Sequence, residues 1–220
     1  MSGYINEIIS GGLGGLTQVI LGHPFDTIKV HIQNKVPITN LNLIKLYKGW
    51  QYPLPQSIIC NSIVFTCNNY LKQYTDNILL CGFISGIVAT PPIYFFDIGK
   101  TKEQLNFKYT FTDFYKTKGF TSTLIRESCA FSFYFYTYDY FKNKLKCNIL
   151  LSGSISGVAS WAFTYPIDVI RNRQIAHNMS FIDAFNCGNL WKGFNYCIAR
   201  SIITNAGIFY TYETSKKLFN

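Results

Sequence analysis

Three acids and three bases recur at one interval in this otherwise oily chain. Asp26, Asp97 and Asp168 are 71 residues apart, and Lys29, Lys100 and Arg171 repeat the same spacing. Within each copy the base follows the acid by three positions, so both stand on one side of a helix. An acid and a base held this way are suited to ion pairing. If the three copies pack around an axis, each acid meets the base of a neighbouring copy. The expected pairs are Asp26 with Lys100, Asp97 with Arg171, and Asp168 with Lys29. An unpaired charge at mid-membrane costs about 2.5–3.5 kcal/mol on insertion scales, so a closed ring of six removes a large penalty.

A second set of charges sits deeper. Arg126, Glu127 and Arg200 interrupt stretches that are otherwise uncharged. Charges at membrane depth mark substrate or ion paths by default. An arginine can clamp a carboxylate through two parallel hydrogen bonds, and a neighbouring acid can pair with an amine. Arg200 is the single charge between Lys192 and Glu213. It is expected to be free for a substrate carboxylate, with Arg126 and Glu127 holding a second polar group. A zwitterion satisfies all three. A nucleotide would meet the arginines and be repelled by Glu127.

Other chemistries find no support in the pattern. Seven cysteines form no CxxC pair, and their odd number argues for free thiols. The three histidines lack metal-ligand spacing, and no nucleophile elbow is present. The cluster GGLGG does not satisfy the dinucleotide fingerprint and reads as close helix packing. We therefore expect no enzyme, no cofactor and no metal. Lysine and arginine outnumber aspartate and glutamate by 20 to 11. The bases stand singly at the ends of uncharged runs, and this disposition argues against nucleic acid.

The elements that must carry these residues follow from the runs themselves. Residues 8–25, 51–71, 77–96 and 147–167 hold no charged side chain; 120–138 and 193–212 hold only the charges just named. Each is near the 20 residues needed to cross a bilayer. Only 14% of residues are charged, against about 25% in soluble domains. Serine, asparagine, glutamine and threonine within the runs account for a mean hydropathy of only +0.11. They suggest helices with one polar face. The 71-residue interval recurs in Gly15, Gly86 and Gly157, and YKG, TKG and WKG follow at 47–49, 117–119 and 191–193. We expect an all-α membrane protein of six transmembrane helices. It is one domain, 1–220, of three pseudo-threefold repeats (1–76, 77–147 and 148–220) with short connecting helices. Two spans per repeat place both termini on one side. No basic leader precedes the first apolar run, so no cleaved targeting peptide is expected.

These motifs resemble the mitochondrial carrier family along the whole chain. The family pattern is Pro-x-acid-x-x-base, followed by aromatic-base-Gly, three times over. Phe95 replaces the second proline, Thr117 replaces the second aromatic, and the connecting segments are short. The resemblance implies a location in the mitochondrial inner membrane with termini on the intermembrane-space side. It also implies a monomer, cardiolipin as lipid partner, and transport of a small molecule by alternating access. The ring at Asp26, Lys29, Asp97, Lys100, Asp168 and Arg171 would then be a matrix-side gate, braced by Gln33 and Gln104. An outer gate would be Asp139 with Lys216 and Glu213 with Lys72. Lys142 would lack a partner because Asn69 stands where the family has an acid.

Quoted segments such as YKGWQYPLPQSIICNSIVF and SGVASWAFTYPIDVI resemble the carnitine/acylcarnitine, ornithine and basic amino-acid subgroup. That likeness adds Cys60, Asn61 and Trp161 to the substrate site. Ornithine-type members carry a glutamate where Cys60 stands, so a distal ammonium would lack its counter-ion. A quaternary ammonium could instead rest on Trp161, Phe133 or Tyr134. The expected function is exchange of a carnitine-like or amino-acid-like zwitterion. The alternatives are a nucleotide or other anion carrier, and a degenerate carrier fold acting as a membrane scaffold.

Overall fold

The structure, a computed structural model, describes residues 2–37, 42–108, 110 and 112–219. The side chains of 2–12, 14–15, 43, 113, 149–150, 205–206, 208–210, 212–213 and 215–219 lie outside that description. The described residues are helical, with no strand among them. In chain order the helices are α1 Ser2–Gln33, α2 Leu43–Leu46, α3 Pro53–Leu71, α4 Ile78–Gln104, α5 Asp113–Lys116, α6 Phe120–Asp139, α7 Ile149–His177, α8 Phe181–Asn186 and α9 Phe194–Phe219. A π-helical turn, Tyr140–Lys144, extends α6. Long, short and long helices thus alternate three times.

The long helices pack in a ring. α1 touches α3, α3 packs on α4, α4 on α6, α6 on α7, α7 meets α9, and α9 lies along α1. α1, α4 and α7 also touch one another across the middle. Glycines set the closest approach. A Cβ on Gly86 would lie 2.6 Å from Ser128 Cα, and one on Gly82 would lie 2.7 Å from Ser132 Cα. Two small residues four apart let α4 press onto the backbone of α6.

Burial runs opposite to that of a soluble domain. Lys29, Asp97, Glu127, Asp168, Arg171 and Arg173 are buried, while Ile58, Phe65, Val88, Phe163 and Ile202 are exposed. Buried charge and an apolar exterior are what a hydrocarbon solvent selects. Among the described residues α4 is the helix whose hydropathy and length suffice to cross a membrane. The other long helices reach the length but carry serines, threonines and charges that lower their hydropathy. Many of these polar groups turn inward and bond to the carbonyl four residues back, as Thr90 does to Gly86 and Thr164 to Ser160.

Candidate functional site

The convergence of α1, α4 and α7 brings the repeated charges together. Lys29 Nζ lies 2.7 Å from Asp168, Lys100 Nζ 2.7 Å from Asp26, and Arg171 2.5 Å from Asp97. Each pair joins two of the three helices α1, α4 and α7. The pairs are not isolated. Arg171 also reaches Asp168 at 3.1 Å and Glu127 at 3.5 Å. Asp168 carries no exposed surface and is shared by Lys29, Arg171 and, at 3.7 Å, Arg126.

A cavity of about 230 Å³ lies beside this network. Its lining includes Arg126, Glu127, Arg200, Cys60, Asn61 and Trp161, together with Asp26, Lys29, Asp97, Lys100 and Arg171. Cys60 is buried and Asn61 is exposed. Arg126 and Glu127 are ion-paired to each other. The cations of the lining outnumber its carboxylates, so the space favours an anionic group.

Arg200 departs from expectation. It is not free: its Nε lies 2.9 Å from Asp26 Oδ1. Its own helix offers no acid nearby, but α9 lies along α1, and the partner comes from there. Asp26 therefore serves two cations, Lys100 and Arg200. Arg200 is also among the residues that line the cavity.

The aromatic groups are also arranged differently. Trp161 already carries two of the protein's own cations, with Lys29 Nζ 4.4 Å and the Arg126 guanidinium carbon 4.6 Å from its ring centroid. Tyr165, one turn on, adds a second face 5.2 Å from Lys29. Phe133 packs on Phe163 in a tilted pair and Tyr134 stacks on Tyr138, and neither lines the cavity. Phe131 does, because it follows Glu127 by four residues and shares its helix face.

Neither brace glutamine hydrogen-bonds to a ring ion. Gln33 accepts from Asn172 at 2.6 Å and donates to the Tyr165 hydroxyl at 3.1 Å. Asn172 in turn donates to Asp168 at 3.3 Å, so the support is one residue removed. Gln104 donates to the Thr27 hydroxyl at 3.0 Å. At the opposite end, Glu213 and Lys216 lie outside the described side chains. Asp139 accepts from Asn143 at 2.6 Å, Lys142 rests 5.4 Å from the Tyr138 ring centroid, and Lys72 is exposed.

Two sets of contacts were not anticipated. His23 Nε2 donates to the Lys48 carbonyl at 2.9 Å, Tyr94 donates to the Thr117 carbonyl, and Tyr165 donates to the Lys192 carbonyl at 3.1 Å. A carbonyl only accepts, so His23 carries its proton on Nε2. Each bond ties a long helix to the YKG, TKG or WKG segment that follows it in sequence. Further along, His31 Nε2 donates to the Gln104 carbonyl at 2.9 Å, and Arg173 Nε to the Gln33 carbonyl at 3.1 Å. These carbonyls end α4 and α1, where acceptors lack helical partners and a base is favoured. The 71-residue register of positions 23, 94 and 165, and of 31, 102 and 173, was the available signal.

Comparison with known proteins follows the same lines. Residues 147–220 match the family model described as "Mitochondrial carrier protein". A mitochondrial basic amino acids transporter of Rattus norvegicus is 30% identical over 219 residues, covering 79% of this chain and 72% of its own length. A mitochondrial arginine transporter of Arabidopsis thaliana is 24% identical over 273 residues, covering 97% and 92%. A mitochondrial carnitine/acylcarnitine carrier protein of Homo sapiens is 26% identical over 286 residues, covering 98% and 95%.

Proposed function

The chain belongs to the mitochondrial carrier family, and from that premise we propose that it exchanges a small zwitterionic metabolite across the mitochondrial inner membrane. The observation that carries the reading is Arg200 in the lining of the cavity that the Arg126–Glu127 pair also lines. Arg200 takes the carboxylate of the substrate, and Glu127 draws its cationic nitrogen. Relatives named for basic amino acids and for carnitine favour the same class. The cavity of about 230 Å³ is below the range of about 300–1,000 Å³ usual for drug-sized ligands, which favours a small metabolite over a nucleotide.

The six long helices are read as six spans in three parallel repeats, 1–76, 77–147 and 148–220, with both termini on the intermembrane-space side. The ion pairs among α1, α4 and α7 act as the matrix-side gate. With that gate paired, the substrate enters from the side of the termini. Opening exchanges the ion pairs of one gate for contacts at the other, as alternating access requires. Lys72, Asp139, Lys142, Glu213 and Lys216 are assigned to the outer gate. With Asn69 in place of an acid, that gate is the weaker one.

The test is exchange by the purified protein in liposomes. Lysine, ornithine or carnitine should exchange, and Arg200→Ala should stop that exchange in a protein that still inserts and melts cooperatively. Exchange of ATP without exchange of any zwitterion would overturn the reading.

A further inference from the structure

Arg200 is the cation assigned to the substrate's carboxylate, yet it is held by a carboxylate of the protein itself. Its Nε lies 2.9 Å from Asp26 Oδ1, while Asp26 Oδ2 holds Lys100 at 2.7 Å. One acid thus divides itself between a ring lysine on α4 and the cavity arginine on α9. The other corners of the network are better supplied. Arg171 has Asp97, Asp168 and Glu127 within 3.5 Å, and Arg126 has Glu127 and Asp168.

The seam between α1 and α9 is built to permit this contact. A Cβ on Gly22, one turn before Asp26, would stand 3.0 Å from Arg200 Nε and 3.0 Å from Thr204 Cγ2. Either neighbour would have to yield by a few tenths of an ångström. The missing side chain therefore lets the guanidinium lie against α1 within reach of Asp26.

We propose that Asp26 is an internal competitor for the substrate's carboxylate. In the empty cavity it occupies Arg200 in the substrate's place. An arriving carboxylate takes Arg200, releases α9 from α1 at this point, and leaves Asp26 wholly to Lys100. The bond exchanged is an ion pair for an ion pair, so no charge is left unpaired during entry. Asp26 in this role is a positioning residue for Arg200, and its cost is a weaker apparent affinity for every carboxylate. The inference rests on the assignment of Arg200 above and concerns how that site is regulated.

Gly22→Ala lengthens the Arg200–Asp26 contact without removing either charge, and Asp26→Asn removes the competing charge outright. Two readouts separate this inference from the transport reading. The first is KM for lysine and carnitine exchange in liposomes. The second is the acetate concentration that half-saturates the thermal shift of the purified protein in detergent, with acetate as the minimal carboxylate. A partly exposed ion pair corresponds to a change of up to about fivefold. Gly22→Ala should lower KM by about twofold to fivefold, and both variants should lower the acetate requirement by a similar factor. The acetate effect should vanish in an Arg200→Gln background. An unchanged or raised KM in Gly22→Ala, with an unchanged acetate requirement in both variants, overturns the inference even where exchange is robust. If wild type exchanges neither substrate but the acetate effects hold, the substrate assignment falls and the competition between Asp26 and a carboxylate stands.

Discussion

Neutralising the three ring acids one at a time should cost unequal amounts, in an order set by how many cations each serves and how deeply it is buried. Asp168 has no exposed surface and holds Lys29 at 2.7 Å, Arg171 at 3.1 Å and Arg126 at 3.7 Å. Asp168→Asn leaves cations with reduced compensation in a site closed to water, and breaking a buried pair from one side costs about 3–5 kcal/mol. Asp97→Asn removes the charge that stands 2.5 Å from Arg171, but Arg171 keeps Asp168 and Glu127. Its cost is that of one charged hydrogen bond, about 1.5–3 kcal/mol. Asp26 is 15% exposed, and its partners are 18% and 21% exposed. Screening there limits the loss to about 1 kcal/mol. In a chain of this size 1 kcal/mol moves a melting midpoint by about 2–4 °C, so Asp168→Asn should lower it by about 6–20 °C. Thermal unfolding of the three Asn variants in one detergent measures the order. Asp26→Asn as costly as Asp168→Asn, or Asp168→Asn melting like wild type, would refute the burial argument. The same geometry makes Lys29→Asp an incomplete rescue of Asp168→Lys, because the new lysine faces Arg171 and Arg126.

The aromatic and hydrogen-bond supports of the network yield further expectations. Trp161→Leu removes a face shared by Lys29 and Arg126 and should lower stability by about 2 kcal/mol; Trp161→Phe should retain most of it, and equal losses in the two variants would argue against a cation–π role. His23→Ala leaves the Lys48 carbonyl without its donor and should cost about 1–3 kcal/mol. His23→Tyr, which copies Tyr94 and Tyr165, should cost less; thermal unfolding decides, and a tyrosine more damaging than alanine would contradict the strut.

The ring pairs were legible because identical chemistry recurs at one interval. Asp26, Asp97 and Asp168 stand in register with their bases, and the threefold packing expected from that register names the pairs observed. The struts at positions 23, 94 and 165 share that register, yet histidine and tyrosine do not read as equivalents until both are seen donating to a carbonyl. The partner of Arg200 was not legible at all. It depends on α9 lying along α1, a contact between the two ends of the chain that no local pattern announces. Phe131 lines the cavity where Phe133 and Tyr134 were expected, because it stands one turn from Glu127 on the same helix face. The acid at 139 accepts from Asn143, four residues on, while Lys216, the lysine expected for it, lies outside the described side chains.

Counter-exchange into liposomes holding the purified wild-type protein tests the central claim most directly. Vesicles preloaded with lysine, ornithine or carnitine should take up the same labelled compound, and unloaded vesicles should take up far less. Equal uptake by empty vesicles would contradict exchange. Uptake confined to ATP or other nucleotides would contradict the zwitterionic substrate.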